Sequence, residues 1–395
     1  MQFTQVQVDW YNTTFLYYVS VIVVCYIVAC KCQNTTILIK NRRMQLSYVL
    51  LVTCLLFVKG LGTTGRDLRN GYYYNFCRAL SLEEYPDYSV EIGFRFLGII
   101  IRNITNQYAI FIFIAACITI FPIMKMLEKY KKKIDYPSAI LIYICVFFFT
   151  SFSAIRIAIA AALAMFAFDA MVEKMPYKAL GWILIASLFH TSVLILMIPY
   201  VVTFWRILDR KIVTAGLFAL FILVFLERNS LMTIMANNER YAIYNSVDSV
   251  HIGMEQFVYY IPLFCIYNYG RKLDTNRNFS YGRKLDTNRN FSYGRKLDTN
   301  RNFSRVAFAY LATGFCFGLL GYIIPIFGRF KDVFLPIIII VPYYLKLMKK
   351  SLPKNRIVIN ICILLYCVMR FYIYISQYYN LEDLMPYTNI FGWII

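Results

Sequence analysis

Charged and aromatic side chains punctuate this otherwise apolar chain at a few places. Arg156 opens the run "SFSAIRIAIAAALAMFAF", and His190 interrupts "LIASLFHTSVLILMIPY". The stretch "GTTGRDLRNGYYYNF" carries Arg66, Asp67, Arg69 and a tyrosine cluster that includes Tyr73 and Tyr74, and Glu91 follows in "YSVEIGFRF". Further on, "NNERYAIY" supplies Arg240 and Tyr241, "GRFKD" supplies Arg329, and "LMPYTN" supplies Tyr387. Planar guanidinium groups bind phosphate oxygens in bidentate fashion, and aromatic faces stack on sugar rings. Arginines set among carboxylates and tyrosines therefore suit a ligand that joins phosphate to sugar.

Each residue taken singly has a plainer reading. An arginine at a helix mouth serves as a snorkelling anchor, a histidine near a helix end caps or packs, and tyrosines at a bilayer surface form an aromatic belt. What the plainer readings do not explain is the convergence of all these residues on one side of a membrane. That convergence depends on the elements that carry them.

With 60% hydrophobic, 18% aromatic and only 16% charged residues among 395, the chain is too apolar to be soluble. A spanning helix needs about 20 mostly apolar residues, and a bilayer admits only helices or closed barrels. The apolar runs are continuous rather than alternating, which predicts an all-α polytopic membrane protein. Spans are expected near 14–30, 46–62, 106–124, 137–152, 155–172, 178–190, 191–205, 212–226, 253–268, 305–324, 333–348 and 355–377, about 12 in all. The region around His190 reads either as one long helix or as two short ones. The first run lacks a basic leader and a small-residue cleavage site, so it reads as a true first span.

Cytoplasmic loops retain Lys and Arg during insertion. With both termini placed outside, and the His190 region split into two short helices, most of the 41 basic residues fall in loops on the cytoplasmic side. Most of the 21 acidic residues fall on the other side. The net charge of +20 is then mainly a topology signal, which leaves little for nucleic acid to explain.

The dodecamer "YGRKLDTNRNFS" occurs three times without a change, at 269–280, 281–292 and 293–304. It reads as a hydrophilic, mostly disordered cytoplasmic insertion in a single transmembrane domain spanning 1–395, with no chemistry of its own. Docking of its basic residues on anionic lipid head groups is the alternative. Of the 11 cysteines only Cys77 lies in an outer loop, and with 2 histidines there is no ligand-spaced cluster. No metal and no cofactor is expected.

The order of motifs, "GTTGRD…YYYNF", "VEIGFRFL", "SFSAIRIAIAAALAMFAF", "LIASLFHTSVLILMIPY", "ERYAIY", "GRF" and "MPYTNIF", resembles the EpsG-type branch of the Wzy bacterial polysaccharide polymerases. The resemblance runs from about the second span to the C-terminus, the dodecamers apart. One departure is that Thr64, Gly65 and Arg66 stand before Asp67, where the family tends to have an acidic residue directly after "GT".

The resemblance implies a membrane glycosyltransferase in the bacterial cytoplasmic membrane. Such an enzyme joins undecaprenyl-diphosphate-linked oligosaccharide repeat units, donor and acceptor, on the outer face to build O-antigen, capsule or exopolysaccharide. Membrane lipids and a chain-length regulator are the further implied partners. The chemistry needs cations for the departing diphosphate and a base for a sugar hydroxyl. Arg156 and Arg329 are assigned to the diphosphate with Arg240 as a third candidate, and His190 or Glu91 to the acceptor hydroxyl. Asp67 completes the catalytic set, and Tyr73, Tyr74, Tyr241 and Tyr387 are candidate substrate contacts. An O-antigen ligase or a flippase for lipid-linked oligosaccharides is the alternative.

Overall fold

The computed structural model describes residues 5–39, 42–83, 85, 90–205, 209–236, 255–282, 290–378 and 382–395. The candidates Arg240 and Tyr241 lie outside the described residues.

The protein is mostly helical, as its continuous apolar runs require. Helix α1 (Gln5–Lys31) leads into a hairpin of β1 (Thr36–Ile39) and β2 (Arg42–Gln45), paired antiparallel with Ile37 opposite Met44. Next come α2 (Leu46–Gly60), a π-helical turn (Leu68–Tyr72) running into α3 (Tyr73–Arg78), α4 (Ile92–Ile104) and α5 (Tyr108–Tyr130). The following apolar run is segmented into α6 (Tyr136–Ile142), a π-helical stretch (Tyr143–Phe148) and α7 (Thr150–Ser153), and the chain breaks at Ala154 before α8 (Ile155–Val172). Then follow α9 (Pro176–Ser187), a 3-10 helix (Thr191–Leu196), α10 (Met197–Phe204), α11 (Arg210–Leu226) and α12 (Arg228–Ala236). The rest is α13 (Glu255–Gly282), α14 (Asn290–Ile323), α15 (Pro325–Gly328), a 3-10 helix (Arg329–Phe334), α16 (Ile337–Ser351), the turn Pro353–Asn355 and α17 (Arg356–Tyr378).

Five segments are long and apolar enough to cross a membrane: Tyr11–Lys31, Tyr108–Tyr130, Ile155–Val172, Asn302–Ile323 and Pro353–Ser376. A sixth arises if Arg210–Leu226 and Arg228–Ile234, bent by 71°, form one span. Leu46–Gly60, Tyr136–Phe148 and Thr191–Phe204 are apolar but shorter. The chain breaks at 188–190, between α9 and the 3-10 helix, where the charge pattern calls for two short helices.

Contacts divide the chain into two compact units: Met1–Ala162 with Leu188–His190 and Lys354–Ile395, and Leu163–Ser187 with Thr191–Pro353. In the first unit α2 packs on α5 and α1 on α6. One end of this unit is basic. There Lys131 donates to Ser47 Oγ at 2.9 Å and to Glu128, close to the β hairpin. At its other end the C-terminal segment is stitched to the loop after α2. Thr63 N donates to Thr388 O at 2.8 Å, Gly65 N to Asp383 O at 3.1 Å and Arg66 N to Glu382 O at 2.9 Å. The motifs "GTTGRD" and "MPYTN", far apart in sequence, are thus one piece of structure. The residues Thr64, Gly65 and Arg66, which separate Asp67 from "GT", all serve this seam.

In the second unit α14 is the central helix, packed on α10, α11, α13 and α16. The dodecamers depart here from the mostly disordered loop expected of them. Their described residues continue α13 and α14: "YGRKLDTNRNFS" has no proline, and an apolar span has already nucleated each helix. The head of the first copy and the tail of the third are packed. A Cβ at Gly270 would stand 2.7 Å from the Tyr344 side chain, so α13 and α16 approach closely there. Asn302 donates to Met171 O and Val172 O, both at 2.8 Å, and so caps the last carbonyls of α8.

Candidate functional site

Arg156 is the second residue of α8, and the break before it frees the N–H groups of the first turn. Its Nη1 donates to Glu91 Oε2 at 2.7 Å, and its Nε donates to Tyr72 Oη at 3.1 Å. Tyr72 Oη in turn donates to Asp67 Oδ2 at 3.4 Å. Three segments build this cluster: the π-helical turn after Asp67, the residue before α4, and the mouth of α8. Glu91 is held in extended backbone (φ −60°, ψ 143°), with its carboxylate turned to Arg156 rather than back to cap its own helix.

Burial decides what each member can do. The Glu91 side chain is 4% exposed and that of Arg156 is 22% exposed. Two of the guanidinium nitrogens, Nε and Nη1, are engaged, and among the described residues Nη2 donates to no partner. An arginine oriented in this way by a buried carboxylate and a phenol is pre-organised to take an anion on its remaining edge. The N-terminal end of the α8 dipole adds to the attraction. Burial pushes the Tyr72 hydroxyl above its ordinary value, against the pull of Arg156, so it stays protonated and donates to Asp67. Asp67 is exposed.

His190 is half-buried in the break between α9 and the next 3-10 helix. Gly93 N donates to Leu188 O at 2.8 Å, and a Cβ at Gly93 would stand 2.7 Å from that oxygen, so only glycine permits the contact. Gly93 lies two positions after Glu91, and Leu188 two positions before His190, so this contact brings the chain at His190 near the start of α4.

Sequence reasoning named Arg156, Glu91 and Asp67, and the structure joins them. It overlooked Tyr72, whose hydroxyl links Arg156 to Asp67. The tyrosines chosen instead face outward: Tyr73 is 51% and Tyr74 47% exposed, and Tyr74 accepts from Arg78. Tyr387 is placed in the core of the first unit rather than at the cluster, with Oη donating to Val58 O at 2.8 Å and its ring against Tyr17. Arg329 begins the 3-10 helix Arg329–Phe334 of the second unit, which packs on Thr191–Leu196.

Comparison with known families bears on what such a cluster serves. The model of the EpsG family matches residues 45–389, from the last residue of β2 to the C-terminal segment stitched onto the loop after α2. The chain belongs to the EpsG family. Membership marks it as a multi-pass membrane protein of the polysaccharide-polymerase type, a family associated with glycosyltransferase-like activity. The match takes in every element that builds the Arg156 cluster. No curated protein and no solved structure matches this EpsG-family chain.

Proposed function

We propose that the protein is a polysaccharide polymerase of the bacterial cytoplasmic membrane, with about 12 spans, both termini outside, and the Arg156 cluster at the outer face. It transfers a growing glycan from undecaprenyl diphosphate to a hydroxyl of the next lipid-linked repeat unit. The bond between the anomeric carbon and the diphosphate oxygen breaks, and a bond from that carbon to the acceptor oxygen forms. The hydroxyl proton passes to a base, and undecaprenyl diphosphate leaves.

The observation that carries this reading is the Arg156 guanidinium, fixed by Glu91 and Tyr72 with one edge open. That edge suits the charge that develops on a departing diphosphate. Glu91, engaged and buried, orients Arg156 and is a poor base. His190 is the candidate proton acceptor, and Asp67 holds the Tyr72 hydroxyl. Arg329 and Arg240 are further candidates for the diphosphate, and the exposed rings of Tyr73 and Tyr74 offer faces to sugars.

The reading is tested with purified protein in liposomes supplied with a single lipid-linked repeat unit. The expected result is a ladder of longer lipid-linked glycans with release of undecaprenyl diphosphate. Donor that is consumed only when a different acceptor lipid is added would mark a ligase. Donor that crosses the bilayer unchanged would mark a flippase.

A further inference from the structure

Lys59 lies next to the last residue of α2, 4% exposed, within an apolar helix. Its Nζ donates to Ser151 O at 2.8 Å and to Ser151 Oγ at 2.5 Å, and among the described residues it has no carboxylate partner. A buried lysine with no counter-charge is costly in a membrane protein, and such residues are kept for a site or a pathway. Its one partner lies at the helix break before Arg156. Ser151 belongs to α7, a single turn that ends at Ala154 (φ −89°, ψ 62°), two residues ahead of Arg156. The break frees carbonyls at the end of α7, and an unmet carbonyl is expensive where water is scarce.

The same break is gripped by the loop that follows Lys59. A Cβ at Gly65 would stand 2.5 Å from Phe152 O, and Gly65 has φ +121°, so glycine alone lets this loop press on the backbone of the break. Seven residues further along, the same segment delivers Tyr72 to Arg156 Nε. Lys59, Gly65 and Tyr72 thus form one continuous brace touching the chain before, at and after the turn into α8. Donation from one Nζ to both oxygens of Ser151 holds the break at two points.

We propose that Lys59 is a positioning residue for the Arg156 site: by holding the Ser151 carbonyl at the helix break, it sets the direction in which α8 begins and thereby aims the guanidinium. Its effect on turnover rests on the polymerase reading, but its effect on geometry does not.

The test therefore has two arms, each run at matched protein abundance. In the first, Arg156→Cys is made together with Cys77→Ser, and the rate of labelling of position 156 by an impermeant maleimide is followed with and without Lys59→Met. The positioning role predicts a change of at least about fivefold, largely reversed by Lys59→Arg in place of Lys59→Met. Equal labelling rates would overturn it. In the second arm, Lys59→Met is expected to lower donor turnover about tenfold with the donor KM within about twofold. In an Arg156→Lys background, where the fork is already lost, the further loss should stay below about twofold. An equal loss in both backgrounds, or normal turnover per molecule, would overturn the inference. Altered labelling of a protein without polymerase activity would leave Lys59 in its role and remove the proposed reaction.

Discussion

Arg156 Nη1 stands 2.7 Å from Glu91 Oε2, an ion pair between the mouth of one helix and the residue that precedes another. Removing one partner of such a pair leaves a partly buried charge uncompensated, which costs more than the pair itself contributes. Glu91→Gln keeps the shape and loses the charge. It should slow polymerisation about thirtyfold, about 2 kcal/mol, by loosening the guanidinium. Donor consumption per molecule in membranes measures this, and a rate within twofold of the parent would remove Glu91 from the site.

Tyr72→Phe deletes a single oxygen that accepts from Arg156 Nε and donates to Asp67. A lost hydrogen bond to a charged group is worth about 1.5 kcal/mol, or about tenfold in rate, with the protein still well folded because the ring stays in place. Tyr73→Phe and Tyr74→Phe serve as controls, since both hydroxyls lie on the exposed face, and neither should slow donor consumption more than about twofold.

These residues show which parts of the site the sequence carried. Arg156 was legible because an ionisable side chain at the edge of an apolar run is costly and invites explanation. Glu91 was legible for the same reason, although α4 is not among the expected spans. Tyr72 was not, because three successive tyrosines are equivalent on paper and only the phase of the π-helical turn buries Tyr72 while exposing its two neighbours. Tyr387 is the converse case. A tyrosine in a polar loop near a bilayer looks like a surface residue, yet the seam between "GTTGRD" and "MPYTN" folds it inward. Lys59 carries no motif that marks it in the sequence, and only its contact with Ser151, 92 positions away, gives it a role.

The helices were more legible than the site. In hydrocarbon every backbone polar group must be met within the segment, so long apolar runs have little choice but helix. The dodecamers escaped this logic because their composition is that of a loop, whereas their position continues two spans.

The packed head of the first dodecamer and the packed tail of the third mean that one copy contains everything the second unit uses. Deleting 281–304 should leave protein level and glycan ladders unchanged, with Asn278, Phe279 and Ser280 taking the places of Asn302, Phe303 and Ser304. In the full chain, Asn302→Ala strips the cap from the α8 carbonyls and should cost about 1 to 3 kcal/mol of stability, seen as a lower melting temperature in detergent. A deletion that abolishes polymer while the protein remains inserted would give the repeats a function.

Orientation is checked with thiols. Cys77 is exposed beside Arg78 at the Arg156 end of the first unit, so an impermeant reagent should reach it in intact cells. A thiol introduced by Ser292→Cys in the repeats should stay unlabelled until the membrane is opened. Labelling from outside at position 292 would invert the topology.

The central claim is that Arg156 holds the diphosphate through the edge of its guanidinium. Arg156→Ala removes a charge-assisted contact in a partly desolvated site, a loss of about 3 kcal/mol or about a hundredfold in rate. Arg156→Lys keeps the charge but not the fork, and should recover only part of the activity. The decisive measurement is glycan length and lipid-linked intermediate in cells carrying each variant at matched abundance. The account predicts accumulated single repeat units with Arg156→Ala and short ladders with Arg156→Lys. Ladders of normal length from Arg156→Ala would contradict it.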